Sequence, residues 1–186
     1  MILPIYIYGH PVLRKVAEDV DRNYKDLDKF IETMFETMYN ADGIGLAAPQ
    51  VGRSIRIFVI DGSPLEEEEP AMADFKKVFI NAQIVEKSGE LVEMTEGCLS
   101  IPNLREEINR EERIRITYYD QDWNFHDEIY EGFIARVIQH EYDHLDGVLF
   151  PEKLSPLKRR LLKGRLTDIS KGRFEADYRT VIAGHR

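Results

Sequence analysis

The stretch Phe133-Ile134-Ala135-Arg136-Val137-Ile138-Gln139-His140-Glu141-Tyr142-Asp143-His144-Leu145 decides how this chain is read. Its spacing predicts a helix on which His140 and His144, four residues apart, project from one face. Glu141 follows the first histidine directly, so its carboxylate can reach a water bound by such a pair. This is the H-E-x-x-H arrangement of metal-dependent hydrolases. Phe133 and Val137 share the histidine face one to two turns away, which fits a pocket wall and ordinary core packing equally well.

Upstream of that helix the chain changes period. Val78 to Val85 and Arg113 to Tyr119 alternate as half-buried strands, and a polar turn at Asp120 to Asn124 leads into another strand near Phe125 to Tyr130, a hairpin pattern. Ile55 to Ile60 and the opening residues Met1 to Tyr8 also read as strands. Asp26 to Asn40 carries Leu27, Phe30, Ile31, Met34, Phe35 and Met38 at helical spacing. Leu65 to Asp74 holds four consecutive glutamates and reads as a solvated loop with no assigned role. After the metal-motif helix, Ser155-Pro156 opens a last helix of about 155–172, with Leu157, Leu161, Leu162, Leu166 and Ile169 as its apolar stripe. Strands cluster mid-chain without a βαβ alternation, so the fold class is α+β, and 1–186 is read as one domain.

Composition agrees with a globular chain: 43% hydrophobic and 32% charged residues, with no apolar run near the ~20 residues of a membrane span. One cysteine, Cys98, excludes an internal disulfide framework and fits a reducing compartment, so the expected location is the cytoplasm. The net charge of −9 is uneven. From Lys153 to Arg173 eight basic residues face one acidic residue, Asp168, leaving that segment at +7 in an otherwise acidic chain.

Three protein ligands leave a metal position open for a reactive water. A metzincin protease needs a third histidine where Phe150 stands, and phenylalanine cannot ligate. Glu152 is too close to the pair, and Glu175 lies near a loose, basic terminus. That leaves Cys98, in Glu96-Gly97-Cys98-Leu99-Ser100, as the best third ligand. Thiolate and imidazole suit zinc and ferrous iron alike.

Gly43-Ile44-Gly45-Leu46-Ala47-Ala48-Pro49-Gln50 contains a G-x-G-x-x-A match, but a helix precedes it and Pro49 blocks the helix a dinucleotide site requires. The segment reads either as a turn or as a backbone edge that a ligand chain can approach closely. Gln50 adds an uncharged amide donor of the kind that holds a developing oxyanion.

Together, G-x-G-x-A-A-x-Q, E-G-C-x-S and H-E-x-x-H in this order resemble the peptide deformylase family of bacterial type. The resemblance implies antiparallel strands packed around a central helix that carries H-E-x-x-H, with a C-terminal helix. It implies hydrolytic removal of the formyl group from N-formylmethionyl nascent polypeptides. It makes Cys98, His140 and His144 the metal ligands and Glu141 the acid/base, with Gln50 and the Leu99 N–H as oxyanion donors. Gly43, Ile44, Gly45, Glu96 and Gly97 then lie against the substrate, with Phe133 and Val137 at the methionine pocket. Arg105 becomes a contact for the substrate backbone or carboxylate, a surface ion pair being the competing reading, and Arg136 becomes a charge near the substrate entrance. One divalent ion is implied, ferrous iron by nature, with zinc, nickel or cobalt able to replace it. The +7 segment fits docking on the ribosome as well as it fits a solvated helix face; neither membrane nor DNA is an expected partner. Two other functions stay open: an H-E-x-x-H metallopeptidase acting on internal bonds, and a ribosome- or RNA-binding protein with an inert metal site.

Overall fold

The computed structural model describes residues 1–184; His185 and Arg186, the end of the expected 1–186 unit, lie outside the described residues. Helix α1 (Leu27–Asn40) leads through Gly43 into strand β2 (Gly45–Ala47), one turn of 3₁₀ helix (Ala48–Val51) and strand β3 (Ile57–Asp61). Strands β4 (Lys76–Cys98) and β5 (Ile101–Tyr119) form a long hairpin, followed by β6 (Phe125–Glu131), helix α2 (Gly132–Leu145) and helix α3 (Pro156–Ser170). The five strands make one antiparallel sheet in the order β2-β3-β4-β5-β6. Two-residue strands β1 (Ile5–Tyr6) and β7 (Thr180–Val181) pair in parallel beside it. The α+β class read from the sequence is the class observed.

Strand β3 shows how the sheet is held between two helices. Its residues alternate sides, as the two-residue strand period demands. Phe58 and Ile60 pack with Phe79, Ile116, Ala135 and Ile138 on the α2 side. Ile57 and Val59 pack with Phe30, Met34, Met38 and Leu46 on the α1 side. Both faces are therefore buried, which is why Ile57 to Ile60 are all apolar. A third cluster gathers Ile5, Ile7, Ile101, Leu104, Phe150, Leu166 and Ile169 where the N-terminus, the start of β5 and α3 meet.

Several boundaries differ from the sequence reading. The expected strand over 1–8 is reduced to Ile5–Tyr6. Strands β4 and β5 extend far beyond Val78–Val85 and Arg113–Tyr119, because bulges let one strand bend past polar stretches that break its alternation. The hairpin into β6 is present, with Tyr119 opposite Phe125. On α3 only Leu166 and Ile169 of the expected stripe are buried; Leu157 and Leu161 are 67% and 75% exposed, so the helix rests on its C-terminal half. The acidic segment is not wholly solvated: a 3₁₀ turn (Ser63–Leu65) leads into it, another (Pro70–Met72) lies within it, and Met72 enters the core beside α2. The segment after α3 is not loose as far as Val181, since β7 ties it to β1. Among the described residues no helix is long and apolar enough to cross a membrane.

Candidate metal centre

Cys98 and the histidines reach one another by different routes. Cys98 closes β4 and pairs with Ile101, so only Leu99 and Ser100 form the hairpin turn. Helix α2 enters this turn's neighbourhood without a side-chain cap; Ala135, Ile138 and Leu145, all fully buried, hold it against the sheet. The helix places His140 and His144 with ring centroids 5.4 Å apart. Cys98 Sγ lies 3.4 Å from His144 Nε2, and one donor atom from each of Cys98, His140 and His144 falls within 4.8 Å of the others. Among the described residues this is the one group of three such side chains so arranged. One sulfur and two imidazole nitrogens converging at that spacing fit a divalent transition metal. Phe150 packs 6.2 Å from the His140 ring, an apolar neighbour rather than a ligand.

The surrounding polar groups orient the donors. Glu96 Oε1 is 2.8 Å from His140 Nδ1, which leaves Nε2 to face the other donors. The same carboxylate accepts two bonds from Arg110, at 2.6 and 2.8 Å, and one from Arg136 at 2.7 Å. Burial pushes the Glu96 carboxyl up, but hydrogen bonds from Arg110 and His140 outweigh it and hold it well below the usual carboxylate range. Glu96 does line the cavity, yet its carboxylate is fully engaged with cations and not free for a substrate. Arg136 lines the cavity, as expected of a charge near the substrate, but it is buried and bonded to Glu96 and to the carbonyls of Ile108 and Val92, so its guanidinium is engaged within the wall.

Gln50 is set by its own turn. Its Oε1 accepts from Ala47 N at 2.9 Å, so Nε2 points to Ser100 Oγ at 3.2 Å and to Cys98 Sγ at 3.5 Å. Glu141 is buried, its Oε2 has no hydrogen-bond partner, and burial pushes its carboxyl up to about 7. A Cβ on Gly45 would stand 2.6 Å from Glu141 Oε1 and 2.9 Å from its Cδ, so glycine is what lets β2 pass over this carboxylate.

A cavity of about 510 Å³ opens beside these groups. Of the residues singled out from sequence, Gly43, Ile44, Gly45, Gln50, Glu96, Gly97, Cys98, Leu99, Arg105, Phe133, Val137, His140 and Glu141 all line it. His144 does not line it and sits behind, in contact with Cys98. Phe133 and Val137 serve as both pocket wall and core, since each also packs in the α2 cluster. Arg105 lies over Gly97, with one guanidinium nitrogen 3.1 Å from where a Cβ would be. Leu65 of the acidic segment and Tyr178 of the C-terminal segment also line the cavity. Neither carries a motif, and Arg110 lies outside the strand expected over Arg113 to Tyr119; no sequence signal marks these three.

Comparison with known proteins follows the same lines. A family model described as polypeptide deformylase matches residues 2–160. The peptide deformylase of Christiangramia forsetii is 52% identical over 186 residues, covering 96% of this chain and 95% of that protein. That of Salinibacter ruber is 50% identical, covering 96% and 93%. The crystal structure of the Thermus thermophilus enzyme superposes with a TM-score of 0.81 at 43% identity, over 93% of this chain and 98% of that one. A class I type b peptide deformylase from Acinetobacter baumannii, solved with Met-Ala-Ser bound, gives 0.75 at 33% identity, over 83% and 99%.

Proposed function

The chain belongs to the peptide deformylase family, and from that premise we propose that residues 1–186 form one catalytic domain in which Cys98, His140 and His144 hold a divalent metal ion and Glu141 carries the proton. The protein is a metal-dependent hydrolase that removes the formyl group from the N-terminal methionine of formylated nascent polypeptides. The metallopeptidase and the inert-site readings are not favoured by the family match.

The observation that carries the assignment of Glu141 is its buried Oε2, which has no hydrogen-bond partner beside the donor cluster. A bound divalent ion supplies Lewis acidity, which lowers the pKa of a ligand water and polarises the formyl carbonyl. Glu141 accepts a proton as water oxygen bonds to the formyl carbon, and returns it to the amide nitrogen as the C–N bond breaks. Formate and a free methionyl amine result. The Gln50 amide and the Leu99 N–H donate to the oxygen that gains charge in between. Gly43, Ile44 and Gly45, at the open edge of the sheet, pair with the substrate backbone, and Phe133 and Val137 flank the methionine side chain. The related Acinetobacter enzyme was solved with Met-Ala-Ser bound, and a cavity of about 510 Å³ beside the donor cluster supports a peptide ligand here.

Ferrous iron is the proposed resident metal; one thiolate and two imidazoles suit it and also accept zinc, nickel or cobalt. The cytoplasm is the proposed location, in keeping with a single free cysteine. Docking on the ribosome through α3 is proposed from its exposed Arg159, Arg160 and Lys163.

The test is formate release from formyl-Met-Ala-Ser by protein purified without air, with metal content measured on the same sample. Glu141→Gln is expected to keep the metal and lose about 10²–10⁴ in kcat. Cys98→Ser is expected to lose or alter metal loading. Turnover of Glu141→Gln at the wild-type rate would refute the assignment of the base.

A further inference from the structure

Beyond α3 the chain reverses and runs back across the molecule as a strap. Asn103 Nδ2 donates to the Glu175 carbonyl at 2.8 Å. Ile5 N donates to Arg179 O at 2.8 Å and Ile7 N to Val181 O at 2.9 Å, which is the β1–β7 pairing. Between these anchors Tyr178 turns inward, half-buried, and its hydroxyl donates to the carbonyl of Leu99 at 2.7 Å. The strap follows the part of the chain that the family model matches, residues 2–160.

Leu99 and Ser100 are the two residues of the β4–β5 turn. Both of their carbonyls are held from outside the hairpin: Leu99 O by the Tyr178 hydroxyl, and Ser100 O by Tyr8 N at 2.8 Å. Tyr8 follows β1, which the strap itself secures through β7. The turn is thus clamped twice by the same C-terminal segment, once directly and once through the N-terminal strand. We infer that Tyr178 is a positioning residue for deformylation, holding the Leu99 carbonyl so that the N–H of the same residue stays aimed at the reacting oxygen. This rests on the reading of Leu99 N–H as an oxyanion donor.

The physical argument is one of preorganisation. An oxyanion donor contributes because its direction is set before charge develops. A two-residue turn has no ladder bonds of its own beyond its ends, so an external bond to its carbonyl restricts the small rotations that swing the N–H away. Small misplacements of a donor reduce the rate far more than they reduce substrate binding.

Tyr178→Phe keeps the ring in its cluster and removes only the hydroxyl. In metal-loaded protein with an unchanged melting temperature, kcat on formyl-Met-Ala-Ser is expected to fall about five- to tenfold with KM within twofold. Amide hydrogen exchange of the peptide spanning 98–101 is expected to accelerate in the same sample. Faster exchange with an unchanged kcat would show a tether without a catalytic donor, overturning both the Leu99 reading and the proposal built on it. Unchanged exchange together with unchanged kcat would overturn the positioning role of Tyr178 and leave Leu99 untouched. A raised KM at constant kcat would make Tyr178 a substrate contact and overturn the proposal as well.

Discussion

Glu96 stands 2.8 Å from Nδ1 of His140 and is itself gripped by two buried arginines. The carboxylate therefore works as a bracket: Arg110 keeps it charged, Arg110 and Arg136 fix it in place, and it keeps one imidazole turned toward the other donors. Glu96→Gln removes the charge while retaining an acceptor. Metal affinity is expected to fall about 10–100-fold in a chelator competition. Thermal stability should drop too, because breaking a buried ion pair on one side costs about 3–5 kcal/mol. Wild-type affinity in this variant would mean that the bracket does not orient the ligand.

Gly45 makes a sharper test of geometry than of chemistry. Its absent side chain is what brings β2 within contact of the Glu141 carboxylate. Gly45→Ala is expected to displace that carboxylate and reduce kcat by about 10²-fold, the usual consequence of a shift near ~1 Å at a reacting group. Metal content should be unchanged, since the three atoms nearest the new methyl group all belong to Glu141. Loss of metal in parallel with activity would point to wider rearrangement instead.

Asp61 fastens the entrance of the acidic segment. Tyr39 donates to its Oδ2 at 2.5 Å, and Ser63 donates to Oδ1 through both N and Oγ, at 3.0 and 2.7 Å. Burial pushes the Asp61 carboxyl up, but the bonds from Tyr39 and Ser63 outweigh it and hold it below the usual carboxylate range. A carboxyl depressed in the folded state binds fewer protons there than in the unfolded chain. Its contribution is therefore present above the unfolded pKa and lost as pH falls through the folded one. Asp61→Asn should cost about 1–2 kcal/mol at pH ~7, with the gap to wild type closing below about pH 4 in denaturant titrations. A pH-independent gap would exclude the carboxylate's charge as the cause.

Helix α3 offers its basic face together with two exposed leucines, Leu157 and Leu161. If this face meets ribosomal RNA, Arg159→Glu with Lys163→Glu should weaken cosedimentation with ribosomes and flatten its dependence on salt. Formate release from a free tripeptide should be unaffected, because neither residue lines the cavity. Unaltered cosedimentation would remove α3 from the interface.

The parts of this protein legible in its sequence are those encoded by local spacing. His140, Glu141 and His144 declare themselves because a helix converts a four-residue interval into one face, whatever surrounds it. Cys98, Gln50 and the glycine segment are legible as short motifs, and the structure brings all of them to one cavity. The strands are only half legible: alternation marks Val78–Val85, but β4 continues through bulges to Cys98, where charged residues hide the period.

What the tertiary structure alone decided is the set of contacts made across long stretches of chain. Arg110 carries no motif and Arg136 reads from the sequence as a charge near the substrate entrance, and only packing against Glu96 reveals both as buried supports. Leu65 and Tyr178 lie in segments with no motif, and they reach the cavity because the acidic segment is pinned at Asp61 and Met72 and the tail at β1. A helix face follows from backbone geometry and so is written in neighbouring residues. A clamp between Tyr178 and Leu99 joins positions 79 apart, and its energy exists only once the chain has folded.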